Sequence, residues 1–296
     1  MPQYTYRPMC AIVLAPWEAE EVLDIALSGA KGTISAGHGA YAVNVMPKRG
    51  GVVLRLESPQ CRVRSMIDTG ELRDLLGERR MLVAFDDRLF VAEIRDIHFY
   101  KLVPTISGSM PTLEINGIHM HRVRGSDPAA DTRSKVAAVR IRKGVKVLDT
   151  CMGLGYTAIG SLMRGAGRVV TVEINRNVIE LARVNPWSWG LEDPRITVVH
   201  DNVVNYVREL EDESFDRVIH DPPRIMRSTG ELYSLPFYRE LYRVLRKRGV
   251  LFHYTGEPGR KHGANFPGRI AARLEQAGFR VLRYSRHAMG IIAVKE

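Results

Sequence analysis

Cysteine is scarce in this sequence. Only Cys10, Cys61 and Cys151 occur in 296 residues, with no CxxC spacing. That gives little support to a structural zinc site or a disulfide framework, and it points to a reducing compartment. Long apolar runs are missing too. No stretch approaches the roughly 20 residues that a membrane-spanning helix needs, and the start MPQYTYRPMC has no apolar core of a signal peptide. The expectation is a cytoplasmic protein without membrane attachment. Histidine clusters are nearly absent. His119 and His121 would share one face of a strand, but two histidines without a third ligand make a poor metal site, so no metal is expected.

Acid is in deficit. Lys and Arg number 43 against 33 Asp and Glu, a net charge of +10. Basic residues gather at Arg122 and Arg124, Arg133 and Lys135, Arg140 to Lys143, Arg243 to Arg248, and Arg260 with Lys261. Dispersed charge would mean only a solvated surface. Clustered charge fits a polyanionic partner such as nucleic acid, because neutralising phosphates releases counterions.

At this length two domains are expected. Residues 1–125 read as a mixed α/β region with no catalytic signature. Pro16 opens a helix that Gly29 ends, and Gly51–Glu57 and Arg62–Met66 alternate as strands. Leu72–Gly77 reads as a short helix. Met81–Phe85 and Leu89–Ile97 read as a strand pair, and Leu113–Val123 as a hairpin turning at Asn116-Gly117. Such a module serves either to dock a substrate or merely to pack and dimerise. Loops are expected at Ser107–Pro111 and Gly125–Pro128, then a helix over Pro128–Val139 capped by Asp127.

Residues 126–296 carry the chemistry. Val145–Asp149 reads as a short buried strand with an acid at its carboxyl end. Gly153 and Gly155 then allow a tight turn into a helix over Tyr156–Met163. A glycine turn alone is as consistent with plain structure as with a nucleotide loop. Three more strands follow, each ending in polar or acidic residues: Arg168–Ile174 with Glu173, Ile196–Val199 before Asp201-Asn202, and Phe215–His220 before Asp221-Pro222-Pro223-Arg224. Ligands bind beyond the carboxyl ends of strands in open α/β sheets. Helices over Asn175–Asn185, Ser234–Arg246 and Ile270–Gln276 are predicted, with strands over Gly249–Thr255, Phe279–Ser285 and Gly290–Lys295. Trp187 and Trp189 suit packing better than base stacking. His253 reads as a hydrogen-bonded structural histidine rather than a general base. The loop from Gly256 to Gly268, rich in Gly and basic residues and containing His262 and Asn265, has the composition of a lid.

From about Asp131 onward the sequence resembles the Rossmann-fold S-adenosylmethionine-dependent methyltransferases. The motifs are DTCMGLG after the first strand, Glu173, the Asp201-Asn202 pair and the DPPR run. It is also similar to uncharacterised archaeal methyltransferases and, in FYRELYRVLRKRGVL, to spermidine synthases. The resemblance implies a seven-stranded sheet with a terminal antiparallel hairpin and S-adenosyl-L-methionine as cofactor. Asp149 would hold its ammonium end, Gly153 and Gly155 allow its close approach, Glu173 bind the ribose and Asp201 and Asn202 the adenine, with Met152, Thr157 and Ile174 also among the cofactor-binding residues. Asp221, Pro222, Pro223 and Arg224 would orient the acceptor, while Thr132 and Arg133 would reach the cofactor carboxylate.

Arg224 departs from amino-methylating relatives, which place an aromatic residue there. No cysteine follows the strand after DPPR, so the covalent uracil-5 mechanism lacks its nucleophile. The expected function is methylation of RNA, tRNA or rRNA, at a base nitrogen or similar nucleophile. The alternatives are a spermidine-synthase-like aminopropyltransferase and a non-catalytic RNA-binding protein on this scaffold.

Overall fold

The computed structural model describes residues 3–106, 108–256 and 265–296. Residues 257–264, with Arg260, Lys261, His262 and most of the expected lid, lie outside that set. The chain forms two compact units. The N-terminal unit comprises Arg7–Ala129 with Asn177–Gly190, and the C-terminal unit comprises Met1–Tyr6, Ala130–Arg176 and Leu191–Glu296. The two therefore interleave in sequence, and the first short strand, β1 (Gln3–Tyr4), belongs to the C-terminal unit.

The N-terminal unit is richer in β-structure than its sequence suggests. It begins with β2 (Ile12–Leu14) and α1 (Pro16–Ser28), which Gly29 closes at φ 70°. A meander follows: β3 (Gly32–Ala36), β4 (Tyr41–Lys48), β5 (Gly51–Glu57) and β6 (Arg62–Asp68), each antiparallel to the next. The strands β3 and β4 are additions to the sequence expectation, since Met46-Pro47 inside β4 breaks the strand signature. Helix α2 (Thr69–Leu75) leads to β7 (Leu82–Phe85) and β8 (Arg88–Val91), joined at Asp86-Asp87 with φ 53° and 54°, and β7 also pairs with β2. A last sheet holds β9 (Glu93–Arg95), β10 (Phe99–Val103), β11 (Thr112–Ile115) and β12 (Ile118–His119). Its β11–β12 turn is the expected Asn116-Gly117, both at positive φ, as a type I′ turn requires.

One expectation is overturned here. Cys10 and Cys61 form a disulfide, with Cα atoms 5.3 Å apart across a sequence separation of 51. Spacing in sequence gave no hint of it, because the pairing depends on where the chain folds back. Disulfides also occur inside cells of hyperthermophiles, so this bond breaks the inference from few cysteines to a reducing compartment. His119 and His121 find separate partners: His119 Nε2 lies 3.0 Å from Glu114, and His121 Nδ1 lies 3.0 Å from the Thr112 hydroxyl. Trp189 stacks on Tyr41 at 5.6 Å, in the packing role expected of it.

The C-terminal unit opens with α3 (Pro128–Ala138), whose first turn Asp127 caps by accepting from the Ala129 N–H at 2.9 Å. Then come β13 (Lys146–Asp149), α4 (Tyr156–Met163) and β14 (Arg168–Glu173), while α5 (Arg176–Val184), next in sequence, belongs beyond Arg176 to the N-terminal unit. They are followed by β15 (Ile196–His200), the one-turn α6 (Val203–Tyr206), β16 (Phe215–His220), α7 (Leu235–Val244) and β17 (Leu245–Tyr254). The end is α8 (Phe266–Gln276), β18 (Arg280–Ser285) and β19 (Gly290–Val294). The sheet order is β1-β15-β14-β13-β16-β17-β19-β18. Strands β15 to β17 in that order run parallel, and β19 and β18 close the sheet antiparallel. This is the expected α/β sheet with its terminal hairpin, plus an eighth strand: β1 pairs antiparallel with the outer edge of β15. A two-residue strand carries too little periodicity to be legible. The core beneath β16 and β17 is built from Phe215, Phe237, Tyr238 and Leu241, all nearly fully buried. No helix among the described residues is long and apolar enough to cross a membrane.

Candidate functional site at the carboxyl edge of the parallel strands

Parallel pairing of β15, β14, β13 and β16 brings their carboxyl ends to one edge of the sheet. Asp149 therefore stands beside Thr171 and Ile219, and Glu173 beside His200. The glycine loop lies over this edge. Gly155 is at φ 78°, and a Cβ there would come within 2.6 Å of Leu191. Gly153, at φ 54°, faces open space, with nothing within 4 Å of a Cβ. The first glycine of the pair thus leaves room for a close ligand, while the second is required by packing.

Glu173 ties the loop down. Its carboxylate accepts from the Gly153 N–H at 3.0 Å and from the Asn175 N–H at 2.9 Å. Burial outweighs these bonds and pushes its pKa up to about 7. Asp149 is fully enclosed. One oxygen accepts from Thr157 at 3.1 Å and the other from Thr171 at 2.7 Å, and burial raises its pKa to about 8. It binds the end of β13 to the start of α4 and to β14. Met152 is also buried, its N–H donating to Val172. Ile174, by contrast, is an exposed apolar side chain next to Glu173. The Asp201 N–H donates to the Glu173 carbonyl at 3.1 Å, and Asn202 caps α6 by accepting from Val204 at 3.0 Å.

The DPPR run follows β16. Asp221 is ion-paired: Lys135 Nζ on α3 lies 2.7 Å from one of its oxygens and 2.7 Å from Asp131, one helical turn earlier. Lys135 and Asp131 are almost fully buried, and the ammonium lies 4.5 Å from the centre of the Tyr254 ring. Its two carboxylate neighbours hold the ammonium above the ordinary lysine pKa despite its burial. Burial raises the pKa of Asp221, against the pull of Lys135. The second oxygen of Asp131 receives no hydrogen bond among the described residues. Pro223 accepts from the Tyr233 hydroxyl at 2.7 Å, which fixes the proline loop from below. Arg224 extends outward, its carbonyl accepting from Thr229.

Two histidines sit under this loop. His220 bonds Thr150 at 2.7 Å and the Leu232 carbonyl at 2.9 Å, while His253 bonds the Tyr238 hydroxyl at 2.7 Å and the Tyr254 carbonyl at 2.8 Å. Their rings are 4.4 Å apart and fully buried. Burial holds both below the usual histidine range, His253 at about 4. His253 is thus the structural histidine expected. Cys151 is a free thiol whose pKa burial pushes up, so it is a poor nucleophile.

The structure therefore brings Gly153, Gly155, Glu173, Asp201 and Asp221 to one edge, with Asp149 beneath. Arg133, on the exposed face of α3, stays apart from Asp131 and Lys135. Sequence reasoning missed Asp131, Lys135 and Tyr254. The one local signal was the i, i+4 spacing of Asp131 and Lys135 on a predicted helix.

The sequence profile of the spermine/spermidine synthase domain matches residues 145–265. Protein MJ1233 of Methanocaldococcus jannaschii, itself uncharacterised, is 47% identical over 211 residues, 71% of this chain and 72% of that one. Ribosomal RNA large subunit methyltransferase I of Photobacterium profundum is 30% identical over 166 residues, covering 51% of this chain and 42% of its own. A polyamine aminopropyltransferase of Streptococcus pneumoniae is 30% identical over 106 residues, 35% and 37% of the two chains. The alignment thus spans less than half of each of these last two proteins. Among solved structures, spermidine synthase in complex with the transition-state analogue AdoDATO superposes with a TM-score of 0.52 at 21% identity, over 74% of this chain and 72% of that one. At that identity the likeness is one of fold. With 47% identity over most of both chains, this protein belongs to the same family as the Methanocaldococcus protein, and its C-terminal unit has a Rossmann-like fold whose residues 145–265 match the spermine/spermidine synthase domain.

Proposed function

We propose that this protein is an S-adenosylmethionine-dependent methyltransferase acting on RNA, tRNA or rRNA, at a base nitrogen or a similar nucleophile. The observation that carries this reading is Lys135. Its ammonium already occupies the carboxylate of the DPP motif, with Asp131 on its other side and the Tyr254 ring nearby. A polyamine acceptor needs that acid for its own ammonium, and a buried lysine would repel it. A base nitrogen carries no positive charge and meets no such repulsion.

The residues at the strand ends fit the cofactor. Open space at Gly153 allows a close approach, and the Glu173 carboxylate would accept from ribose hydroxyls once a ligand competes for it. Exposed Ile174 offers an apolar surface to an adenine, with Asp201 and Asn202 at its polar edge. The unmatched oxygen of Asp131 suits the ammonium of the methionine moiety better than Asp149, whose two oxygens already accept from threonines. The cofactor supplies an electrophilic methyl group on a sulfonium. Asp221, held in place by Lys135, accepts a hydrogen bond from the acceptor, while the prolines and Tyr233 keep the loop stiff. Positioning of this kind accounts for most of the rate where no strong base is needed. Asp131 and Asp221 outnumber Lys135 by one negative charge, which matches a cofactor with one net positive charge better than its doubly charged decarboxylated form.

The second reading is aminopropyl transfer, favoured by the domain match over residues 145–265 and by the Streptococcus relative. Calorimetry separates the two: tighter binding of decarboxylated S-adenosylmethionine would overturn the methyl-transfer reading. Incubation with methyl-labelled cofactor and bulk RNA, followed by digestion, should yield one labelled nucleoside. No label in either the tRNA or the rRNA fraction would overturn the RNA substrate. A cytoplasmic site of action belongs to the same proposal.

A further inference from the structure

The C-terminal unit has a second concave surface, to which the reading above gives no role. Helix α3 presents different residues on its two sides. Asp131 and Lys135 are buried, whereas Arg133 and Ala137 are exposed and Ser134 is half-buried. The spacing explains the split, since positions i and i+4 share a face and i+2 falls on the far side. Arg133, Ser134 and Ala137 form one wall of an open groove of about 390 Å³, and Arg283, Ser285 and Ile292 from the terminal hairpin line the other.

The lining includes two guanidinium groups and two hydroxyls but no carboxylate. Neither Arg133 nor Arg283 has an ion-pair partner among the described residues, whereas Arg280, on the same strand, pairs with Glu296. Two unpaired guanidiniums facing one groove from opposite walls favour a phosphate chain, which each can grip in bidentate fashion.

We propose that this groove holds the sugar-phosphate backbone of single-stranded RNA. The inference rests on the RNA-methylation reading and adds to it the docking surface. A helix is about 10 Å across, so backbone in this groove runs one helix thickness from the Lys135–Asp221 pair on the other side of α3. A base turned out of its stack can cover such a distance, as enzymes acting on bases require. The groove's open side accepts one strand, and its mixed arginine and serine walls read no particular sequence.

Anisotropy of a short labelled single-stranded RNA, titrated with the full chain at salt from about 50 to 200 mM, tests the proposal. R133A/R283A is compared with R62A/R64A, which removes the same charge from exposed positions of β6 in the N-terminal unit. Loss of two phosphate contacts should weaken binding about tenfold or more for R133A/R283A and reduce the logarithmic salt slope by about 1.4. R62A/R64A should stay within about twofold of the wild type. Equal losses in the two variants, or none in R133A/R283A, overturn the groove. Methyl transfer separates this failure from that of the parent reading. If R133A/R283A loses RNA affinity but the wild type labels no RNA, the groove stands and the methylation reading falls. If the wild type labels RNA and R133A/R283A does so with unchanged KM, the groove alone falls.

Discussion

The two units bury charge in opposite ways. In the N-terminal unit Glu18, 2% exposed, spends both oxygens on backbone: it accepts from Ala15 at 2.7 Å, His38 at 3.1 Å and Gly39 at 2.9 Å. His38 is likewise satisfied by the backbone of Thr105 and Ser109. Nothing is left over for a ligand, and the result is a pinned loop at the start of α1. In the C-terminal unit Asp131, Lys135 and Asp221 satisfy one another through side chains from α3 and the end of β16, and one buried oxygen remains unmatched. Buried charge closed off by the backbone builds the fold. Buried charge that reaches a strand end with bonding capacity to spare is available for chemistry.

Asp221→Ala should show the largest effect if that contrast holds. Methyl transfer is expected to fall by about 10³-fold, about 4 kcal/mol in the barrier, a larger loss than the one in cofactor affinity. Rate assays beside calorimetry check it; an unaltered rate would remove Asp221 from the acceptor side.

Next comes the Cys10–Cys61 bond. Replacing both by serine should lower the stability of the N-terminal unit by up to about 4 kcal/mol, given the loop it closes. Thiol titration of the unfolded, unreduced wild type should find Cys151 alone reactive. Three reactive thiols would mean the bond does not form.

Glu18→Ala leaves three backbone N–H groups without their acceptor and should cost about 3 kcal/mol in denaturant melts. Cofactor affinity should not move. If it drops with the protein still folded, the division of labour between the two kinds of buried charge is wrong.

The smallest effect concerns pH. Without ligand, Glu173 keeps its proton up to about 7 and Asp149 up to about 8, both above their unfolded values. Folding stability from these acids is therefore full below about pH 4 and declines as pH rises through 7 to 8. A cationic ligand favours the carboxylates, so its binding releases protons. Affinity for S-adenosylmethionine should rise about tenfold from pH 6 to 8, with calorimetric heats that depend on the buffer. A flat profile would show that neither acid senses the ligand.

Much of the C-terminal unit is legible in the sequence. The bounds of α4 and β16 match the sequence expectation residue for residue, and the four strand ends fall on one edge. Parallel β-α units announce themselves through buried runs, glycine turns and helix periods within about 30 residues. The N-terminal meander was harder to see, because β3 and β4 alternate weakly and one contains a proline.

What the sequence determined by itself is the order of strands and helices, the residues at their ends and the excess of positive charge. These follow from local periodicity, turn chemistry and a count of side chains. Only the tertiary structure decided which charges meet. Lys135 and Asp221 are 86 residues apart, Glu173 and Gly153 are 20 apart, and Cys10 and Cys61 are 51 apart. No periodicity encodes such pairs: they form because sheet order and helix packing fix the ends of distant segments together, where burial makes an unpaired charge too costly to leave alone.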